Sequence, residues 1–320
     1  MKVLITGGAG FIGSNTAERL INNGHEVFII DNFSTGEDKN IPFLQPKNII
    51  KLDIPPTSGI NNLVVDHLFK YENFDAVIHL AAQVNVRRSI DDPLADSISN
   101  INGSLYIFEL CKKYNVRRIV FSSSGGTIYG EAPIPTFEKL ANKLIPNSPY
   151  GIAKLSIEHY LNYYKENGIL DPIILRYGNV YGPKQTEKSE AGVISIFLRK
   201  MLNGENPIIF GDGKKTRDYI YVDDVVSANE LALTYSNKIQ PIFNIGTGIE
   251  TDINKLFSII NSKFNNKFRA IYESEKMGEL NRSCLDISSS KRNLHWEPKT
   301  NLEDGISKTY EWIKKDINGF

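Results

Sequence analysis

Cysteine is nearly absent from this 320-residue chain: Cys111 and Cys284 are the only two. Two thiols cannot build a disulfide framework, and such sparing use fits a reducing compartment. Charge of one sign is also missing, because 37 lysines and arginines balance 37 aspartates and glutamates. Without a net field, neither nucleic acid nor an anionic membrane is expected as a partner. No run approaches the roughly 20 apolar residues that a bilayer-spanning helix needs. The apolar opening breaks at Gly7, so it does not read as a signal peptide. No repeat or low-complexity tract is apparent. The expectation is a soluble cytoplasmic protein with a substantial core, as one large domain or two intimate ones.

Glycine, by contrast, is concentrated where it is informative. Gly7-Gly8-Ala9-Gly10-Phe11-Ile12-Gly13 follows the apolar run at 2–6 and precedes a helical pattern carrying Ile12, Thr16, Ala17, Leu20 and Ile21. This reads as strand, glycine turn, helix. Glycine permits the positive φ of a tight turn and lets a phosphate approach with no Cβ in the way. The helix start offers that phosphate unpaired N–H groups and the positive end of a dipole. A glycine triplet alone is weak evidence; its position, with Asp31 ending the next strand-like run at 26–31, strengthens it. The reading is a dinucleotide site in which Asp31 takes the adenosine ribose hydroxyls. A carboxylate there repels a 2′-phosphate, so NAD is favoured over NADP.

Strand-like runs recur at 2–6, 26–31, 48–53, 75–81, 118–124, 172–178 and 241–246, with helical patterns at 11–23, 93–114, 150–166 and 222–236. Alternating short apolar strands and helices predicts an α/β fold, a doubly wound parallel sheet of Rossmann type. After residue 180 the rhythm weakens, and the polar stretch 183–190 reads as a mobile loop. The expected division is an NAD-binding domain over 1–180, to which 219–246 returns, and a smaller mixed α/β substrate domain over most of 181–320. Ligands of such sheets bind beyond the carboxyl ends of the strands, so the residues following each run are the candidates.

After the fifth run comes Phe121-Ser122-Ser123-Ser124-Gly125-Gly126-Thr127-Ile128-Tyr129-Gly130. Its serines either present hydroxyls to a ligand or satisfy backbone groups in a turn. Downstream, Ser148-Pro149-Tyr150-Gly151-Ile152-Ala153-Lys154 opens a helix with Tyr150 and Lys154 on one face. The same spacing recurs at Tyr272/Lys276 and Tyr310/Lys314, away from any strand-end serine cluster, so position rather than pattern selects Tyr150. A free tyrosine, with a pKa of about 10, is a poor base at neutral pH. A neighbouring ammonium and a nicotinamide cation both favour its phenolate. Tyr150 could then remove a proton from a sugar hydroxyl while the carbon beneath gives hydride to NAD.

Together, TGGAGFIG at 6–13, Asp31-Asn32, Leu80-Ala81-Ala82, FSSSGGTIYG and SPYGIAK resemble the extended short-chain dehydrogenase/reductases. More narrowly they resemble nucleotide-sugar 4-epimerases of the UDP-glucose/UDP-N-acetylglucosamine type. LRYGNVYGP at 175–183, RDYIYVDDV at 217–225 and RSCLDIS at 282–288 carry the resemblance through nearly the whole chain. It implies Tyr150 as the acid/base, Lys154 on the nicotinamide ribose and Ser124 as the hydroxyl partner. This chain has one residue more than many members between the serine cluster and Tyr129-Gly130, which leaves Ser123 and Thr127 as alternatives to Ser124. The implied cofactor set is Gly7, Gly10, Phe11, Ile12 and Gly13 in the turn, Asp31 and Asn32 after the second strand, and Asp53 and Ile54 beside the adenine. Leu80, Ala81, Ala82, Asn100, Ser122 and Tyr177 complete it. The implied substrate set places Asn179, Arg217 and Arg282 on the nucleotide diphosphate and Phe210 near the uracil, and includes Val193 and Ser283.

The reaction implied is redox-neutral: hydride leaves C4 for tightly held NAD, the 4-keto sugar turns about its phosphate linkage, and hydride returns to the other face. The related 4,6-dehydratases use an acidic pair beside the strand-end hydroxyl. Here that place holds Gly125-Gly126, and without a carboxylic acid the leaving C6 hydroxyl has no proton donor. A nucleotide-sugar decarboxylase or reductase, and a dinucleotide-binding sensor without catalysis, are the competing readings; such sensors commonly lose the tyrosine–lysine pair kept here. In the resembling epimerases a bulky aromatic at the place of Ser283 excludes an N-acetyl group. The small Ser283 therefore predicts UDP-N-acetylglucosamine and UDP-N-acetylgalactosamine as substrates besides UDP-glucose and UDP-galactose. No metal is expected. A homodimer through helices 93–114 and 150–166 is implied, with Leu105, Ile107 and Leu110 serving either its interface or the core.

Overall fold

The computed structural model describes residues 1–139, 146–186, 192–236, 241–275 and 280–318. Its strands are β1 (Lys2–Thr6), β2 (Glu26–Asp31), β3 (Ile49–Lys51), β4 (Ala76–His79), β5 (Arg118–Ser124) and β6 (Asp171–Tyr177), then β7 (Asn179–Tyr181), β8 (Ile208–Phe210), β9 (Thr216–Tyr221), β10 (Ile242–Ile245), β11 (Glu250–Asp252) and β12 (Ile271–Glu273). The helices are α1 (Phe11–Asn22), α2 (Gly59–Glu72), α3 (Val86–Asp91), α4 (Pro93–Ser97), α5 (Gly103–Lys113) and α6 (Pro149–Glu166), then α7 (Val193–Leu202), α8 (Val222–Thr234), α9 (Ile253–Ser262), α10 (Ser288–Asn293) and α11 (Leu302–Asn318).

Seven strands form one sheet in the order β10-β6-β5-β4-β1-β2-β3, parallel at every pairing. The order reverses between β1 and β4, which is the topological switch point where an open α/β sheet binds its ligand. The fold is therefore the Rossmann-type α/β sheet that the alternation of elements predicts. Strand alternation separates two cores. Val3, Ile5, Val27 and Ile29 pack against Ala17 and Leu20 of α1 and Val225 and Ala228 of α8. Leu4, Phe28 and Ile30 point the other way, onto Phe69 of α2, Phe108 of α5 and Leu161 of α6.

The later chain builds two small sheets, β11-β9-β7 and β12-β8, over a third core drawn from α7, α9 and α11. β10 returns to the large sheet beside β6. Of the polar stretch at 183–190, residues 187–190 lie outside the described residues.

Two differences from the sequence-based expectation are physical. The helix expected at 93–114 is interrupted by a π-type turn over Ile98–Asn102, between α4 and α5. Ile107 and Leu110 are buried in the core beneath the sheet, and the partly buried Leu105 packs against it. The polar helix α2 lacked a clear apolar stripe; it is set by Ser58, whose hydroxyl accepts from the Asn61 amide, and ends at Asn73 with φ of 48°. No helix among the described residues is long and apolar enough to cross a membrane.

Candidate active site

At the end of β1 the chain turns at Gly7, with φ of +71°, and enters α1. A Cβ on Gly13 would lie 2.0 Å from the Gly7 carbonyl oxygen, and one on Gly7 would lie 2.8 Å from the Ala81 nitrogen. The turn therefore closes against both α1 and the chain after β4 only because these positions are bare. Gly10 caps α1 without a side-chain acceptor, so no side chain competes for the first-turn amides. Asp31 ends β2 with Oδ2 accepting from the Ala9 amide at 2.9 Å and Oδ1 accepting from the Phe33 amide at 2.8 Å. Burial pushes its carboxyl up, against the pull of those amides. Asn32 donates to Asp53 at 2.9 Å, linking the ends of β2 and β3. A bare phosphate cradle and an acid at the second strand end fit NAD.

The floor beneath the cleft is a chain of buried hydrogen bonds. Ser104 Oγ donates to the Asn100 carbonyl, so it accepts from His79 Nε2 at 2.9 Å, and His79 Nδ1 accepts from Thr6 Oγ1 at 2.7 Å. Thr6 Oγ1 in turn accepts from the amides of Leu80 and Ala81, both at 3.2 Å. Burial, helped by Lys154, lowers the His79 pKa to about 3, which keeps the ring neutral. Asn100 accepts from the Gln83 amide at 2.8 Å and donates to the Gln83 carbonyl and to Asp96. Its amide is thus occupied in holding the segment 80–83, from within the π-type turn at Ile98–Asn102.

Helix α6 begins with Ser148, whose hydroxyl accepts from the Gly151 amide, followed by Pro149 at a position that needs no donor. Lys154 Nζ donates to the Ser122 carbonyl at 2.8 Å and lies 4.8 Å from the Phe121 ring centroid and 5.7 Å from that of Tyr150. Burial lowers its pKa to about 8, with Asp96 and Glu158 opposing the shift.

The three serines divide by strand alternation. Ser122 donates to the His79 carbonyl, and Ser123 donates to Glu158 at 2.5 Å on the helix side. The Ser124 hydroxyl has no hydrogen-bond partner among the described residues. The buried Thr127 Oγ1 and Asn179 Oδ1 have none either. A Cβ at Gly126 would stand 4.0 Å from Ser124 Oγ and 3.7 Å from Asn179 Oδ1, so these groups border one bare spot. Tyr177, the register partner of Ser124, packs its ring into the core under α1 and α8, where its hydroxyl donates to Asn229.

The other wall comes from the C-terminal region. Asp218 accepts from Thr247, Gly248 and Leu285 amides and so fastens the segment after Leu280 against β9. That segment pairs with the chain after β5 through Thr136 and Leu285, and it buries Ser283. Arg217 Nη1 donates to the carbonyls of Thr216 and Leu280 at 2.8 and 2.9 Å. Arg282 makes a bidentate pair with Glu250, with 60% of its side chain exposed. Phe210 ends β8, on the separate β12-β8 sheet, and Val193 opens α7.

The residues that position this site went unrecognised in the sequence: Thr6, His79, Asp96, Glu158, Arg176 and Asp218. One signal was available for Glu158, four residues after Lys154 and hence on the same helical face.

The model of the NAD dependent epimerase/dehydratase family matches residues 3–246. The chain is 43% identical to a putative UDP-glucose 4-epimerase of Methanocaldococcus jannaschii over 316 residues, 98% of this chain and 99% of that one. It is 41% identical, with a TM-score of 0.92, to the structure of the Thermotoga maritima UDP-glucose 4-epimerase with UDP-glucose, covering 99% of this chain and 100% of that one. A UDP-N-acetylglucosamine 4-epimerase of Methanobrevibacter ruminantium, solved with UDP-N-acetylmuramic acid, matches at 36% identity and a TM-score of 0.89 over 98% of each chain.

Proposed function

The chain belongs to the NAD-dependent epimerase/dehydratase family, and on that ground we propose that it interconverts the C4 epimers UDP-glucose and UDP-galactose. One arrangement carries the reading. Lys154 of α6, with Tyr150 one turn before it, reaches the end of β5, where an uncommitted Ser124 hydroxyl is followed by two glycines instead of acids.

Bound NAD supplies a hydride acceptor that returns what it takes. Tyr150 holds and exchanges the proton of the sugar O4, and Ser124 shares that oxygen. Lys154 favours the phenolate by its charge and binds the nicotinamide ribose. Gly7, Gly10, Phe11, Ile12 and Gly13 cradle the pyrophosphate, and Asp31 takes the ribose. Asn179, Arg217 and Arg282 grip the nucleotide diphosphate while the sugar turns; a planar guanidinium suits that anion. With Gly125 and Gly126 where a dehydratase needs an acid, no group protonates a leaving C6 hydroxyl. The reaction runs in the cytoplasm, in a homodimer joined along α6, where Ile152, Tyr160 and Tyr163 are exposed.

Incubation with UDP-glucose and with UDP-galactose, without added cofactor, followed by chromatographic separation of epimers, tests the proposal. Interconversion is expected; absence of any epimer overturns it. A second reading extends the substrates to UDP-N-acetylglucosamine and UDP-N-acetylgalactosamine. It is favoured by the small, buried Ser283 beside Arg282 and by the likeness to the M. ruminantium enzyme. No turnover of the acetylated pair overturns that extension alone.

A further inference from the structure

Arg176, the next-to-last residue of β6, is 1% exposed. A guanidinium so buried is tolerated only when its donors are matched. They are. Nε donates to Glu158 Oε1 at 3.0 Å and Nη2 to Glu158 Oε2 at 2.5 Å. Nη1 donates to Tyr129 Oη at 2.7 Å and to the Glu138 carbonyl at 3.0 Å. Tyr129 passes its own proton to Asn244 Oδ1 at 2.7 Å, and Asn244 donates to the carbonyls of Thr136 and Asp286.

This cluster touches the proposed catalytic elements at three places. Glu158 follows Lys154 by one helical turn, and its Oε1 accepts from Ser123, while Lys154 donates to the Ser122 carbonyl. Helix α6 is thus registered on β5 at two points, through the two residues just before Ser124. Beyond Ser124, the turn Gly125-Gly126-Thr127 has almost no side chain of its own to fix it. Backbone bonds hold its near end, from the Gly125 amide to the Tyr177 carbonyl and from the Ile128 amide to the Ser124 carbonyl, and the Tyr129 hydroxyl on Arg176 holds its far end. A Cβ on Gly125 would meet the Leu285 methyls at 2.8 Å, so the turn lies tight against the C-terminal wall, where Ile128 and Tyr129 pack with Leu285.

We propose that Glu158 and Arg176 are positioning residues: acting through Ser123 and Tyr129, the buried pair sets the distance between the Tyr150 phenol on α6 and the Ser124 hydroxyl at the end of β5. A pair that only stabilised the fold would need no link to the strand end or to the far side of the glycine turn. The inference rests on the epimerase reading, because that reaction requires both hydroxyls on one sugar oxygen.

The test compares Arg176→Lys, which keeps the charge but loses the fork, with Tyr129→Phe and Ser123→Ala, which each remove one hydroxyl. The NAD-loaded variants are assayed for kcat and KM with UDP-glucose, for the isotope effect of deuterium at C4, for nicotinamide content and for melting temperature. Misplacement of about 1 Å predicts kcat lower by about 10- to 100-fold for each of the three variants, with KM changed less than about threefold. The isotope effect should rise, and nicotinamide content should stay at the wild-type level. Folded variants with wild-type kcat and isotope effect overturn the inference, as does a loss of kcat that only follows the fraction unfolded. If Arg176→Lys does not fold, the two hydroxyl deletions decide by the same criteria. A wild type that epimerises no UDP-sugar overturns the parent reading and this inference with it, whereas an active wild type beside indifferent variants overturns the inference alone.

Discussion

Lys154 donates to the Ser122 carbonyl from a pocket closed by the rings of Phe121 and Tyr150. One buried cation therefore joins the helix that carries the candidate base to the strand that carries the candidate hydroxyl. Its burial has a titratable consequence, since the pKa falls from 10.5 to about 8. The ammonium that supports the phenolate is lost as pH rises through about 8, so kcat should show an alkaline limb there. Lys154→Arg, whose guanidinium does not titrate in this range, should lack the limb at a reduced rate; an unchanged limb would refute the assignment. Stability moves the other way. Between pH 8 and 10.5 the unfolded lysine keeps a proton that the folded one has released, so folding gains about 3 kcal/mol across that window. Urea midpoints of wild type and Lys154→Met should diverge accordingly.

Tyr150→Phe should keep the fold and the bound nicotinamide while losing proton exchange, because Tyr150 is buried at the start of α6 and only its hydroxyl is removed. General acid–base catalysis contributes about 10²- to 10⁴-fold, and turnover should fall by that order. Nicotinamide content and epimer formation, measured on one preparation, check it. Full turnover would take the acid–base role away from Tyr150.

The glycine turn makes a sharper claim than its motif. At Gly13 a methyl group meets the Gly7 carbonyl at 2.0 Å, a contact between two backbone segments that no rotamer relieves. Gly13→Ala should cost about 1–3 kcal/mol and yield protein without nicotinamide. Gly24→Ala is the control: its φ of +82° strains an alanine, but nothing lies within 4 Å. That variant should lose stability and keep its nicotinamide. Equal retention in both would separate the cradle from cofactor binding.

Much of this is legible in the amino-acid sequence. Parallel strands buried on both faces write themselves as short apolar runs, and the period of two fixes which residues share a face, so β1, β2, β4, β5 and β6 were readable. Asp31 and the Tyr150–Lys154 spacing were readable for the same local reason. What escaped depended on pairings distant in the sequence. Arg176 meets Glu158 and Tyr129 only because β6 lies beside β5 in register, Ser123 against Arg176. Alternation places Ser123 opposite Ser124, yet it separated them only once the end of β5 was known. Helix α2 was missed because its capping serine, rather than an apolar stripe, defines it.

Arg282 tests the diphosphate grip with little risk to the fold. It is largely exposed and paired with Glu250, and exposed pairs contribute little to stability. Arg282→Ala should leave the melting temperature in place while KM for UDP-glucose rises about tenfold with kcat nearly unchanged, the signature of lost uniform binding. An unaltered KM would assign Arg282 to the surface.

His79 carries the last prediction, on the acid side. Its ring is enclosed between Thr6 and Ser104, and its pKa falls from 6.5 to about 3. Above pH 6.5 the ring is neutral in both folded and unfolded chains, so its hydrogen bonds stabilise in full. As pH drops toward 3 the unfolded ring takes up a proton that the folded ring refuses, and stability falls by about 5 kcal/mol over the window. His79→Gln should lose about 1–3 kcal/mol at neutral pH from the broken network, yet show a shallower fall on acidification, by close to one proton. Urea denaturation of both proteins from pH 7 downward measures this, and the difference between them cancels the carboxylates that titrate in the same range. Parallel curves would mean that the buried ring is not the group whose protonation opens the floor of the cleft.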